Sequence, residues 1–298
     1  RKEVLAWIQR KVDALVAGCD GGAWGYGNRG FAAPKAPVHV IPDGKMKLEI
    51  GSDTLARMAV SKAFYDYSNT QYAVLGLKAA ALCGIRPKSD EAVWRLVVQH
   101  FLRVQQAKGP NVTLELFAEI PASPPDFLKR GQGWEEAKTG ARTRPARARG
   151  WPYNQQQAVS TATMTTAGLT ALLVGSSELK LKPAEREKVD EAVRDGLAWM
   201  QSEWTAKVFA PVKDVPDGYL LYGLERMGVL GSLRKVGGHD WYAEGARLLV
   251  DRQQEGGSWS KGYGPSLETA FALLFLTRGT REAYSKSSYE VEEMKPAP

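Results

Sequence analysis

Three acidic residues stand where a carboxyl group could donate a proton or anchor a ligand. Glu225 lies inside the apolar stretch 219–231, and Glu268 opens the apolar stretch 268–279. Asp217 stands in KDVPDG, three residues after another aspartate. A carboxyl group buried among apolar side chains holds its proton tightly, which suits a general acid. Each has a simpler role as well, because buried carboxylates are usually paired and Asp217 can cap a helix.

The residue types that bind metals are few and scattered. The chain holds two cysteines, Cys19 and Cys83, and three histidines, His39, His100 and His239. They form no close cluster of the kind that holds zinc, so the sequence predicts neither a metal nor a cofactor. Two cysteines do not make a disulfide framework. One bridge between them and two free, buried thiols are both open, and the second is favoured.

Polar and aromatic residues gather at the starts of several apolar stretches. If these stretches are helices whose N-terminal ends meet, their unpaired N–H groups and positive dipole ends favour an anionic or polar ligand. Plain core packing is the alternative for the tyrosines. The residues predicted to line such a site are Asn69, Gln71, Tyr72, Thr163, Thr165, Tyr219 and Tyr222.

The stretches that carry these residues are predicted to be buried helices. Small and aliphatic residues occupy nearly every position, which is typical of a helix covered on all sides, and a closing glycine suits the C′ position. The intervening stretches have apolar residues three and four apart with charges opposite, so they are covered on one face only. The first kind comprises 69–84, 163–175, 219–231 and 268–279; the second comprises 89–106, 183–204 and 240–254.

A Gly-Gly-x-Trp segment occurs at both ends of the chain, at 21–24 and 256–259. Each copy follows a predicted outer helix. The glycines allow a tight turn, and the tryptophan can pack back across the helix ends before the chain enters the inner layer. We therefore interpret the segment as a joint between repeats.

The segment DRQQEGGSWSKGYG followed by SLETAFALLFL resembles the prenyltransferase and squalene oxidase repeats, including the Gln-Trp motifs of squalene-hopene cyclases. YSNTQYAVLGL and MTTAGLTALL are also similar to squalene-cyclase-like domains of large planctomycete-type bacterial proteins. The resemblance implies an all-α fold: an α/α toroid of inner and outer antiparallel helices, complete or open, because four inner helices are evident where a full ring has six.

The sequence lacks the catalytic and zinc-binding residues that the families it resembles use. Squalene-type cyclases protonate an alkene with an Asp-x-Asp-Asp motif, which this sequence does not contain. Prenyltransferases bind zinc with a cysteine in the inner helix, where this chain reads SLETAFALLFL. The sequence therefore predicts a binding module for a protein or small ligand. The alternative is a terpene cyclase-like or prenyl-transferring enzyme with a non-standard acid: Glu225, Glu268 or Asp217.

Two insertions and a tail are predicted within this organisation. The toroid domain spans 1–280, with a β-hairpin at 36–50 and a long Pro/Gly/Arg-rich loop at 109–153; residues 281–298 form a strap or linker. The net charge is +7 at pH 7, and segment 138–150 contains five basic residues and no acidic one. That segment is a solvated loop or a contact for an anionic partner.

The expected partners and cellular location of the chain follow from its composition and from the family resemblance. No apolar run approaches the ~20 residues of a transmembrane helix, and nucleic acid is disfavoured because no aromatic residue interrupts the basic segment. A protein, a polymer, or a lipid or isoprenoid in the central cavity is the expected partner. The first residue is Arg1 rather than Met, which together with the family likeness favours a secreted or periplasmic location over a cytoplasmic one.

Overall fold

The structure, a computed structural model, describes residues 2–25, 39–40, 46–47, 65–87, 90–119, 127, 135–136, 140–154, 156–204 and 217–280. These residues are mostly helical, as predicted. The helices of the described part of the chain are α1 (Lys2–Ala17), α2 (Tyr67–Leu82), α3 (Asp90–Val104), α4 (Ala162–Ser177), α5 (Pro183–Ser202), α6 (Asp217–Leu230), α7 (Trp241–Arg252) and α8 (Pro265–Leu276).

A small antiparallel sheet accompanies the helices, so the fold is not purely α-helical. Its strands, in spatial order, are β4 (Glu135–Glu136), β5 (Arg142–Arg147), β3 (Asn111–Ala118) and β6 (Leu233–Val236). A separate pair, β1 (His39–Val40) and β2 (Met46–Lys47), lies in the predicted 36–50 hairpin. The C-terminal segment 281–298, predicted as a strap or linker, lies outside the described residues.

The prediction of a loop over 109–153 was wrong for β3 and β5. In NVTLELFA the alternation of Leu114 and Leu116 with polar residues is a strand pattern, and both leucines are fully buried. β5 has the sequence RTRPAR, which carries no such pattern. It is held by pairing with β3, and the arginine that follows it, Arg149, donates from Nε to Asp195 Oδ2 of α5 at 2.6 Å.

Helix α4 lies at the centre of the helical packing. It contacts α2 and α6, and α6 in turn contacts α8, while α3 and α5 cover α4 from outside. α1 packs on α2, and α7 packs on both α6 and α8. Nearly every residue of α4 is buried, whereas the amphipathic α3 buries one face. The predicted contrast between a helix buried on all sides and one covered on a single face therefore holds for α4 and α3.

Helix α8 departs from the prediction that it is covered on all sides. Leu267 and Leu273 are each 52% exposed and Leu274 is 37% exposed. The physical reason is its position: among the described helices, its substantial contacts are with α6 and α7 alone. The apolar composition of the helix therefore does not ensure burial at the end of the series.

The Gly-Gly-x-Trp segments do form joints between helices. Trp24 donates its indole N–H to the carbonyl of Leu15 in α1 and its backbone N–H to the hydroxyl of Thr70 in α2. Trp259 makes the same two bonds, to the carbonyl of Leu249 in α7 and to Thr269 in α8. Each tryptophan thus ties the end of one helix to the first turns of the next.

A third joint, which the sequence analysis missed, stands at Trp151. Its indole N–H donates to the carbonyl of Phe101 in α3 at 2.9 Å, and its backbone N–H donates to the hydroxyl of Thr165 in α4 at 3.2 Å. The sheet segment separates Trp151 from α3 in sequence and hides the spacing of the repeat. Three helix pairs, α1–α2, α3–α4 and α7–α8, therefore share one hydrogen-bonded connection.

Candidate functional site

The N-terminal ends of α2, α6 and α8 lie together. Gln71 of α2 donates from its side-chain amide to the hydroxyl of Tyr219 of α6. The backbone N–H of Gly218 in α6 donates to Glu268 Oε2 of α8 at 3.2 Å, and the rings of Tyr219 and Phe271 meet at 5.9 Å. Side chains from three helices therefore converge at one place.

Arg226 lies at the centre of this convergence. Its side chain is buried, with 1% of the residue exposed. Its Nη2 donates to Gln71 Oε1 at 2.7 Å, and its Cζ lies 3.9 Å from the ring centroid of Tyr222 and 5.9 Å from that of Tyr72. We call this set the aromatic–arginine cluster: Gln71, Tyr72, Tyr219, Tyr222, Arg226 and Phe271.

The hydrogen-bonding capacity of Arg226 is only partly used. A guanidinium group has five N–H donors, and within the described part of the chain neither Nε nor Nη1 has an acceptor. The neighbouring Glu225 does not supply one, because its carboxylate accepts from the backbone N–H and the hydroxyl of Thr280. Cation–π attraction to Tyr222 compensates part of the cost of burying the charge. The three N–H donors of Nε and Nη1 therefore have no acceptor among the described residues.

Two tyrosines of the cluster, Tyr72 and Tyr219, are neutral at neutral pH. Burial raises the pKa of Tyr219 and Tyr72 above the ordinary value, although the positive charge of Arg226 acts in the opposite direction. Neither hydroxyl therefore supplies a negative charge to Arg226 at neutral pH. Arg226 therefore carries a positive charge that is enclosed by aromatic rings and attracted by the carboxylate of Glu225.

An apolar surface borders the cluster. Tyr72 is 40% exposed and Tyr263 is 60% exposed. On α8, Leu267 and Leu274 lie one turn before and one turn after Phe271, on the same helix face, and both are exposed. Phe271 in turn stacks on Tyr222, with ring centroids 5.7 Å apart. The buried charge is thus flanked by apolar side chains that water can reach.

The structure places the seven predicted site residues in two groups. Gln71, Tyr72, Tyr219 and Tyr222 belong to the cluster. Asn69 instead donates to Asp66, the N-cap of α2; Thr163 contacts the capping residue Thr161; and Thr165 accepts from Trp151. These three side chains support helix ends.

Sequence reasoning missed Arg226 and Phe271. Arg226 is a charged residue in the middle of an apolar helix, and this position was the available signal. This signal does not distinguish Arg226 from the adjacent Glu225, because nothing in the sequence tells which of two neighbouring charges faces the other helices. Phe271 gave no signal distinct from the other apolar residues of α8.

Two of the three candidate acids, Glu225 and Glu268, are hydrogen-bonded to other residues. The side chain of the third, Asp217, lies outside the residues that the structure describes. Glu225 is fully buried, and burial raises the pKa of its carboxyl group, against the lowering effect of the bonds from Thr280. Glu268 is 3% exposed and accepts from Gly218. Asp217 is the first residue of α6.

A cavity of about 250 Å³ is lined in part by Glu268 and Gly218. Its lining consists of Gly218, Leu248, Leu249, Arg252, Trp259, Ser260, Lys261 and Glu268. Trp259 is the joint residue between α7 and α8, so the cavity opens beside a structural connection. Its lining is mainly apolar, with basic side chains from α7 and the joint.

Cys19 is buried and Cys83 is exposed, and both thiols are free. The preference for free thiols agrees with this, but the expectation that both are buried was wrong for Cys83. Burial raises the pKa of the Cys19 thiol to about 12. In the described ranges, no three His, Cys, Asp or Glu side chains are grouped so that they could hold a metal ion.

The basic segment is partly neutralised by the fold. Arg147 donates to Glu191, and Arg149 donates to Asp195, both on α5. A role for segment 138–150 in contacting an anionic partner stays a prediction. None of the helices in the described ranges has both the length and the hydropathy needed to cross a bilayer.

Comparisons with protein-family models, with curated proteins and with solved structures find no match in any of the three. A function for this chain can therefore be inferred only from the geometry of the site.

Proposed function

We propose that this chain is a non-catalytic binding module built as an open α/α toroid. Support comes from the series α2, α4, α6 and α8, in which each helix packs on the next. The joints at Trp24, Trp151 and Trp259 add support, since they repeat one set of hydrogen bonds. The resemblance to the prenyltransferase and squalene oxidase repeats is part of this proposal.

The proposed ligand site is the aromatic–arginine cluster together with its apolar border. The observation that carries the proposal is Arg226, a buried cation whose Nε and Nη1 lack acceptors among the described residues. A buried polar group without a partner costs free energy, which an incoming acceptor recovers. The module therefore binds an organic anion at Arg226.

A fluorescent organic anion, 8-anilinonaphthalene-1-sulfonate, tests this proposal. We expect one saturable site whose affinity drops at least about tenfold in Arg226→Met, because the sulfonate loses its charged donor. Arg234→Met is the matched control, since Arg234 is exposed on β6, and it should bind as the wild type does. Circular dichroism checks that both variants remain folded. Equal binding by the wild type and Arg226→Met contradicts the proposal.

One observation favours an enzyme as the second candidate. Glu225 is fully buried, and burial raises the pKa of its carboxyl group, which favours the protonated form that a proton donor must hold. Incubation with squalene and with farnesyl diphosphate tests this alternative by product analysis. An enzyme gives a product that disappears in Glu225→Gln, whereas a binding module gives none. The bonds from Thr280 to Glu225 favour the binding module, because they assign the carboxylate a structural role.

A further inference from the structure

The apolar side chains beside Arg226 specify the ligand more closely than its charge alone. Leu267, Phe271 and Leu274 succeed one another on one face of α8, and Phe271 stacks on Tyr222, which covers the guanidinium group. Leu267 and Leu274 are 52% and 37% exposed. Contiguous exposed apolar side chains are typical of binding surfaces. We call this row the α8 apolar face.

The charge at the end of this face favours a ligand with no more than one negative charge. Arg226 contributes one positive charge, and burial keeps the adjacent Tyr72 and Tyr219 neutral by raising their pKa. The carboxylate of Glu225 accepts its hydrogen bonds from Thr280 and offsets part of the charge of Arg226. A carboxylate carries one negative charge and matches a guanidinium group in shape. A phosphate dianion would leave an excess negative charge among aromatic rings, at a cost in desolvation.

We propose that the site takes an amphiphilic monocarboxylate, a fatty acid, with its carboxylate on Arg226 and its hydrocarbon chain along the α8 apolar face. This inference rests on the proposed binding function and names the chemical class of its ligand. The hydrocarbon chain covers Leu267 and Leu274, and burial of apolar area supplies most of the affinity. The carboxylate accepts from the nitrogens that lack partners.

Access to the guanidinium group requires one side chain to move. Nε and Nη1 are enclosed, and the ring of Tyr72 lies over Arg226 with 40% of the residue exposed. Rotation of an exposed tyrosine ring is the smallest change that opens the site. Tyr72 therefore covers the carboxylate position in the unliganded chain.

Isothermal titration with three twelve-carbon amphiphiles tests the ligand class, below their critical micelle concentrations. Dodecanoate should bind with one-to-one stoichiometry and displace 8-anilinonaphthalene-1-sulfonate. Dodecanol, without the charge, and dodecyl phosphate, with excess charge at pH 8, should each bind at least about tenfold more weakly. Equal affinity for dodecanoate and dodecanol overturns the proposal.

Three variants locate the ligand. Arg226→Met should lower the affinity for dodecanoate at least about tenfold. Leu267→Asp, at a site too exposed to affect folding, should also lower it by placing a negative charge beside the chain. Arg234→Met, the exposed control, should leave the affinity unchanged. Wild-type affinity for dodecanoate in Leu267→Asp contradicts the placement of the chain on the α8 apolar face.

Failure of this inference differs from failure of the proposed function. If 8-anilinonaphthalene-1-sulfonate binds in an Arg226-dependent way and dodecanoate does not displace it, the site exists and the fatty-acid assignment is wrong. If neither compound responds to Arg226→Met, the binding site itself is wrong.

Discussion

Arg226 and Gln71 form the polar pair on which the proposed binding site depends. Gln71 accepts from Arg226 with its oxygen and donates to Tyr219 with its nitrogen, so both halves of the amide are used. This leaves the guanidinium group fixed in position while Nε and Nη1 lack acceptors among the described residues. A fixed, desolvated cation selects a ligand by charge and by shape.

His100 gives a prediction at the residue scale. Burial lowers the pKa of His100 from 6.5 to about 3, with a smaller contribution from Arg103. Below pH 6.5 the unfolded chain binds a proton that the folded chain does not, so the free energy of unfolding decreases as the pH falls. The slope from this group approaches about 1.4 kcal/mol per pH unit once the unfolded histidine is protonated. Urea unfolding between pH 5 and 7 measures it.

The control for this prediction is a second histidine. His239 is about one-third exposed and lies 3.1 Å from Glu244. His100→Gln should flatten the dependence of stability on pH more than His239→Gln does, because the side chain of His239 is not enclosed by the fold. If the slopes of all three proteins coincide, His100 is not buried in the neutral form.

At the scale of the element, the tryptophan joints set how one helix follows another. In each joint an indole N–H satisfies a carbonyl in the preceding helix, and a threonine hydroxyl satisfies the backbone N–H of the tryptophan. Helix ends otherwise leave such groups without partners. The connection therefore fixes both chain direction and hydrogen bonding.

The two Gly-Gly turns supply a matched prediction. Gly22 has φ +94°, and an added Cβ would lie 2.1 Å from the carbonyl oxygen of Leu96. Gly257 has φ +79°, but its nearest such neighbour is 4.0 Å away. Gly257→Ala should cost about 1 kcal/mol of stability from backbone strain alone. Gly22→Ala should cost at least about 2 kcal/mol more, because the backbone of α3 must move. Thermal unfolding that ranks the two variants equally would contradict the close packing of the Gly21–Gly22 turn on α3.

The elements also show what the sequence could and could not reveal. Apolar periodicity predicted the helices, and the Gly-Gly-x-Trp pattern predicted two joints, because these signals are local. The strand β5 could not be predicted, since RTRPAR pairs with β3 through backbone bonds and its neighbour Arg149 bonds to Asp195. Arg226 could not be placed at the site, because its partner Gln71 stands 155 residues away.

For the whole molecule, the order of packing explains why an apolar helix face stays exposed at one end. α4 is enclosed by α2, α3, α5 and α6, and nearly all of its residues are buried. α8, at the end of the series, keeps an apolar face exposed. The same apolar sequence character thus gives a core helix in the middle and a candidate binding surface at the end.

α2 and α6 meet through Gln71 and Arg226, and the proposed site depends on this contact. A double-mutant cycle with Gln71→Met and Arg226→Met, followed by urea unfolding, tests it most directly. We predict a coupling free energy of about 0.5–3 kcal/mol, as for residues in contact. The pair Gln71→Met and Arg234→Met is the control and should be additive. Additive effects of Gln71→Met and Arg226→Met would contradict the contact and the site that depends on it.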